Sequence, residues 1–166
     1  MSVYLLDTCI WSIWFDPKKN GHAKVIEKVN GLQEKDRLGI SIITWGEIAY
    51  GHFANPKEPT NKQTQYLEFI KSKGPITFDI DIHTANTYGE IRARLFEKFT
   101  DKEKKSGLRP EQLIDPITSK ELGIQENDLW IVAQALTRNL TFITNDKLYC
   151  IREVIGKENY IDSWIS

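Results

Sequence analysis

Residues 123–146 read GIQENDLWIVAQALTRNLTFITND, and this stretch decides the fold. Behind Asn127-Asp128, the residues Leu129, Val132, Ala133 and Leu136 recur at helical spacing. Leu140, Phe142 and Ile143 then make an apolar run too short for a helix, closed by Thr144-Asn145-Asp146. The spacing predicts an amphipathic helix with an acidic start, then a buried strand with an acid at its carboxyl end. Ligands of open α/β sheets bind at that edge.

Working outward, Val3 to Leu6 is a second short apolar run, and it ends at Asp7-Thr8. The CIWSIWF segment that follows is apolar on nearly every side, so Trp11, Trp14 and Phe15 are expected in the core or at an interface. A helix is predicted from about His22 to Leu32. Leu38 to Ile43 reads as another strand, after which Thr44-Trp45-Gly46-Glu47 opens a helix. Pro56 and Pro59 mark a loop, Tyr66 to Ile70 a helix, Ile76 to Ile82 an alternating strand, and His83 to Phe99 a long helix. Residues 100–122 form a polar excursion with one short helix around Glu111 to Ile114. A helix through Leu148, Ile151 and Val154 and an edge strand within Tyr160 to Ile165 complete the chain. Strands alternating with helices point to βαβ units and a mainly parallel sheet.

At 166 residues the expectation is a single domain, 1–166, around one core. A net charge of −1 argues against a generally basic nucleic-acid binder while leaving room for a local basic patch. Cys9 and Cys150 have neither the close spacing nor the His partners of a zinc site. No run of about 18 apolar residues suggests a membrane span, and no charged-plus-apolar leader is seen, so a cytoplasmic protein is expected.

Asp7, Glu47, Asp128 and Asp146 each fall where a helix starts, three of them directly after a predicted strand. Capping explains each one singly, because an acid there accepts free N–H groups and complements the helix dipole. Thr44-x-x-Glu47 even fits a capping box. The other explanation is that the strand ends bring the four acids together, where mutual repulsion forces proton uptake unless a cation intervenes. All-oxygen ligation suits Mg²⁺ or Mn²⁺, and such ions favour phosphodiester hydrolysis.

The segments YLLDTC, ISIITWGEIAYG, YGEIRARL, GIQENDLWIVAQAL and TFITND occur here in one order. In this the chain resembles the PIN-domain nucleases, and most closely the VapC-type toxins of bacterial and archaeal toxin–antitoxin pairs. The likeness runs from Tyr4 nearly to the end, and ENDLWIVAQAL is its most specific part. It implies an α/β/α sandwich that is usually a homodimer, cleaving RNA with Mg²⁺ or Mn²⁺ and held inactive by an antitoxin protein. It also implies that Asp7, Glu47, Asp128 and Asp146 are the acidic metal-binding quartet, with the Thr8 and Thr144 hydroxyls supporting it. The excursion between Arg94 and Gly123 is longer than in compact members. Its Lys98, Lys102, Lys104, Lys105 and Arg109 offer contacts to RNA phosphate, or simply form a solvated charge run.

Glu90 is read as the partner of Arg94 at i+4 rather than a fifth metal acid. Asp81 is read as a helix cap, Asp79 as the polar face of an edge strand, and Cys9 as a small buried residue without the adjacent His a nucleophile needs. His22, His52 and His83 lack metal-ligand spacing. The competing function is a catalytically weak RNA- or protein-binding regulatory α/β module. A phosphoacceptor domain is disfavoured because Asp7 is followed by Thr8 and Cys9 rather than a second acid.

Overall fold

In the computed structural model, which describes residues 1–54, 60–100, 107–156 and 160–165, the chain runs β1 (Val3–Leu6), α1 (Thr8–Phe15), α2 (His22–Asn30), β2 (Arg37–Ser41) and α3 (Ile42–Ala54). It continues α4 (Thr60–Ser72), β3 (Ile76–Phe78), α5 (Ile82–Phe99), α6 (Glu126–Arg138), β4 (Thr141–Ile143), α7 (Tyr149–Ile155) and β5 (Ile161–Asp162). The strands form one sheet in the order β3-β2-β1-β4-β5, and every pairing is parallel. β1 is central, with β2 on one side and β4 on the other, so the strand order reverses beside its carboxyl end. That is the switch point at which open α/β sheets form a crevice.

Because β1 and β4 are covered on both faces, they carry continuous apolar runs rather than alternation. Leu5 and Phe142 belong to a core against α5, α6 and α7, while Leu6 and Ile143 belong to a second against α1, α2 and α3. The sandwich α/β/α follows from these two cores. Trp11 and Trp14 are buried and stack at 5.5 Å, with Phe69 edge-on to Trp14 at 5.2 Å. The aromatic helix α1 is therefore core material, and the exposed large apolar side chains of α3 are Ile42, Tyr50 and Phe53.

Two predicted boundaries move. The second strand stops at Ser41 and α3 starts at Ile42, with Ser41 Oγ accepting the Ile43 N–H at 3.0 Å. The edge strand β3 holds only Ile76–Phe78, since Asp81 caps α5 by accepting the Thr84 N–H at 2.8 Å. At Gly39 the β2 backbone passes under Phe78, whose ring carbon would lie 2.7 Å from an added Cβ.

The polar excursion packs onto the body where it is described. Leu113 and Ile124 are buried, a short 3-10 turn spans Pro110–Gln112, and Ile114 bridges to Glu121 antiparallel. Glu111 accepts the Glu126 N–H at 2.8 Å, and Arg92 donates to the Leu108 carbonyl at 3.1 Å. Tyr88 stacks on Trp130 at 3.8 Å and donates to Glu126. The first turn of α6 is thereby tied to both α5 and the excursion. Among the described residues no helix is long and apolar enough to cross a membrane.

Candidate active site

Asp7 ends β1 and caps α1, with Oδ1 accepting the Thr8 N–H at 2.7 Å. Its Oδ2 accepts from Thr144 Oγ1 at 2.7 Å and from Cys9 Sγ at 3.3 Å. Capping and clustering are thus not alternatives here, because one oxygen serves each. Burial pushes the Asp7 carboxyl pKa up, the three donors pull it down, and the charge of Glu47 adds to the rise. Thr144, buried at the end of β4, also accepts the Asp146 N–H at 3.1 Å. One hydroxyl joins Asp7 to the turn that carries Asp146.

Glu47 departs from the capping-box expectation. Since α3 begins at Ile42, Thr44 lies inside its first turn, buried, with no partner for Oγ1 among the described residues. Glu47 stands in the second turn, where backbone N–H groups are already bonded. Its carboxylate turns to other elements instead, accepting from Thr8 Oγ1 on α1 through one oxygen and from Asn127 Nδ2 on α6, at 2.7 Å, through the other. Asn127 is the contributor that the sequence reading passed over. Its only signal was an amide placed directly before an acid at a helix start.

Asp128 is the third residue of α6, and no donor among the described residues reaches its carboxylate. Burial first, then the charges of Asp7, Asp146 and Glu47, push its pKa up to about 7. Asp146 is exposed on the turn after β4, and it borders with Asp128 a cavity of about 410 Å³. The charges of Asp7, Glu47 and Asp146 are thus all felt at Asp128. The arrangement is open: among the described residues no three His, Cys, Asp or Glu side chains converge as a ready-made metal cage, and no Lys or Arg pairs with any of the four. A partly buried set of repelling carboxylates with no countercharge takes up protons or a cation. Its donors are all oxygen, so the residues present fit a hard divalent ion.

The remaining candidates fall outside this group. Cys9 has its thiol pushed up to about 12 by burial and by Asp7, which makes it a donor and not a nucleophile. Glu90 is exposed on α5 and forms no ion pair with Arg94 among the described residues; Arg94 donates instead to the Val154 carbonyl at 3.5 Å. Lys98 pairs with Glu153 at 2.5 Å, Arg109 is exposed, and Lys102, Lys104 and Lys105 lie outside the described residues. His22 bonds the Ile13 carbonyl at 2.8 Å.

A family model described as PIN domain matches residues 4–153. Among solved structures, the chain is similar to VapBC2 from Rickettsia felis bound to a DNA fragment from its promoter, with 21% identity, 98% of each chain covered and a TM-score of 0.68. It is similar to VapBC-1 from nontypeable Haemophilus influenzae at 20% identity, 99% of each chain and 0.69, and to DNA-bound VapBC from Salmonella typhimurium at 25%, 99% of each and 0.66. No curated protein matches the sequence closely enough to count as a relative.

Proposed function

This chain belongs to the PIN-domain family, and on that premise we propose that it is a Mg²⁺- or Mn²⁺-dependent endoribonuclease, acting in the cytoplasm as the toxin of a toxin–antitoxin pair. The observation that carries the reading is Asp128, a carboxylate that has no donor or countercharge among the described residues and on which three others press. Such a group is costly in a folded protein unless a cation is its partner in use.

In this reading Asp7, Glu47, Asp128 and Asp146 would hold the ion. When bound, a divalent ion supplies a water of lowered pKa and positive charge for the phosphate oxygens. The chain's own residues do the rest. Thr144 and the Thr8 N–H fix the two oxygens of Asp7, and Thr8 and Asn127 fix those of Glu47, so both carboxylates are oriented before substrate arrives. Asp128, which burial and the other three acids push toward protonation, would have to release its proton to hold the ion, so ion binding should weaken as the pH falls. The likeness to VapBC structures supports a cognate antitoxin as the protein partner, and the homodimer is the assembly that the family resemblance implies.

The test is cleavage of total cellular RNA by purified, antitoxin-free protein in Mg²⁺ or Mn²⁺. Discrete fragments that vanish with EDTA and with Asp128→Asn are expected. Intact RNA from folded, metal-loaded protein would instead favour the regulatory binding module.

A further inference from the structure

The cavity lined by Asp128 and Asp146 is bounded by Leu122 to Gln125 and by the turn and start of α7 from Lys147 to Ile151. At about 410 Å³ it lies near the low end of small-molecule sites, roughly 300–1,000 Å³, which suits one nucleotide unit and excludes a duplex. Ile124, Leu148 and Ile151 give it apolar walls, and Asp128 and Asp146 line it as well.

Tyr149 borders the same space and is 68% exposed, although it sits in a helix whose Ile151 and Ile155 are buried. The core makes little use of this ring. Lys147, also at the cavity, holds its Nζ over the Tyr149 ring, 5.6 Å from the centroid, so a base stacking on that face would move the ammonium aside toward the phosphate. The cavity wall thus presents a flat aromatic face and a cation directly after the acid of the turn, in the order Asp146, Lys147, Leu148, Tyr149. An aromatic face stacks any base, and an ammonium offsets a phosphate beside carboxylates that would otherwise repel it.

We propose that this cavity is a nucleobase subsite, which seats one base of single-stranded RNA beside the phosphate to be cleaved, with Tyr149 as stacking platform and Lys147 as phosphate contact. The assignment rests on the ribonuclease reading above and deepens it. It restricts the substrate to unpaired RNA, since a paired base cannot leave its helix to enter the cavity without unstacking.

The test uses the full chain carrying Asp7→Asn, which removes an acid outside the cavity to prevent cleavage, in Mg²⁺. The probes are a fluorescein-labelled eight-nucleotide single-stranded RNA and versions with one abasic ribose at each position in turn. One abasic position is expected to weaken binding about tenfold, the scale of a lost base–aromatic stack. Tyr149→Ala added to this background should weaken the intact RNA equally and erase the difference between intact and abasic probes, while Tyr149→Phe keeps both. Equal binding of all abasic probes, or an unchanged affinity in Tyr149→Ala, overturns the subsite. Cleavage of total RNA by the chain with Asp7 intact is measured in parallel. If cleavage is present and base dependence absent, the subsite alone fails; if base dependence is present without cleavage, the nuclease reading alone fails.

Discussion

Asp128 has an ordinary carboxylate pKa near 3.9 in the unfolded chain and about 7 in the folded one. Between those values the folded protein holds a proton that the unfolded chain has released. Raising the pH from about 4 to about 7 therefore removes stability, and above 7 the loss is complete. Asp7, raised in the same direction, adds to it. In EDTA the melting temperature should fall from pH 5 to pH 8, and Asp128→Asn, which cannot ionise, should flatten that profile. At pH 8 the variant should melt about 5 °C higher, the shift expected of roughly 2 kcal/mol in a domain of this size. A profile unchanged by the substitution would mean that Asp128 is not the strained acid. Asn127 invites a different measurement, because its amide orients Glu47 together with the Thr8 hydroxyl. Asn127→Ala should raise the Mn²⁺ concentration needed for half-maximal RNA cleavage by about tenfold, as loss of a ligand-orienting group commonly does. Asn127→Asp should be worse, since it adds a carboxylate facing Glu47.

At the scale of elements, the sequence showed where strands stop when the stopping residue was itself an acid. Asp7 and Asp146 were legible because Leu5-Leu6 and Phe142-Ile143 are too short for a helix and a polar residue ends each run. Glu47 was assigned correctly to α3 but wrongly to its first turn. The run Leu38 to Ile43 is β-branched throughout its end, so composition alone did not show Ile42 and Ile43 leaving the sheet, and Thr44 then mimicked a cap. The third strand was read too long for the opposite reason: alternation persists to Ile82, yet an edge strand is paired only as far as its neighbour reaches. That pairing has its own weak point at Gly39. Gly39→Ala would drive a Cβ into the Phe78 ring, which also carries the Arg138 guanidinium 5.4 Å from its centroid. The expected cost is about 1–3 kcal/mol in urea unfolding, with the acids of the site untouched. A neutral result would show that the ring is free to move aside.

For the molecule as a whole, local pattern could not reveal the meeting of the acids, since it depends on β1 lying between β2 and β4. The sequence indicated parallel strands, and the family resemblance supplied the rest. Joining four carboxylates at the switch point makes the fold and the ion mutually dependent under the proposed function, because a ligand bound only by the folded state stabilises it in proportion to ln(1 + [L]/Kd). Mn²⁺ at about a hundred times its Kd should therefore raise stability by roughly 2.7 kcal/mol. The gain should be larger at pH 8 than at pH 6, where protons compete for Asp128, and Asp128→Asn should abolish most of it. Calorimetry with and without Mn²⁺ at the two pH values measures this directly; a pH-independent gain would place the ion elsewhere.

The parallel sheet also sets an order of events during synthesis. β1 leaves a ribosome well before β4, yet β4 is one of its two neighbours, with Leu5 in register with Phe142. Until Thr141–Ile143 has emerged, one edge of β1 is open, and the Asp7 carboxylate lacks the Thr144 hydroxyl that fixes it. A nascent chain thus carries Asp7 and Glu47 through most of the synthesis of this domain before Asp128 and the Thr144 hydroxyl arrive. Under the proposed function, an enzyme built this way is harmless to the message and the ribosome that are making it until β4 and the turn after it have emerged.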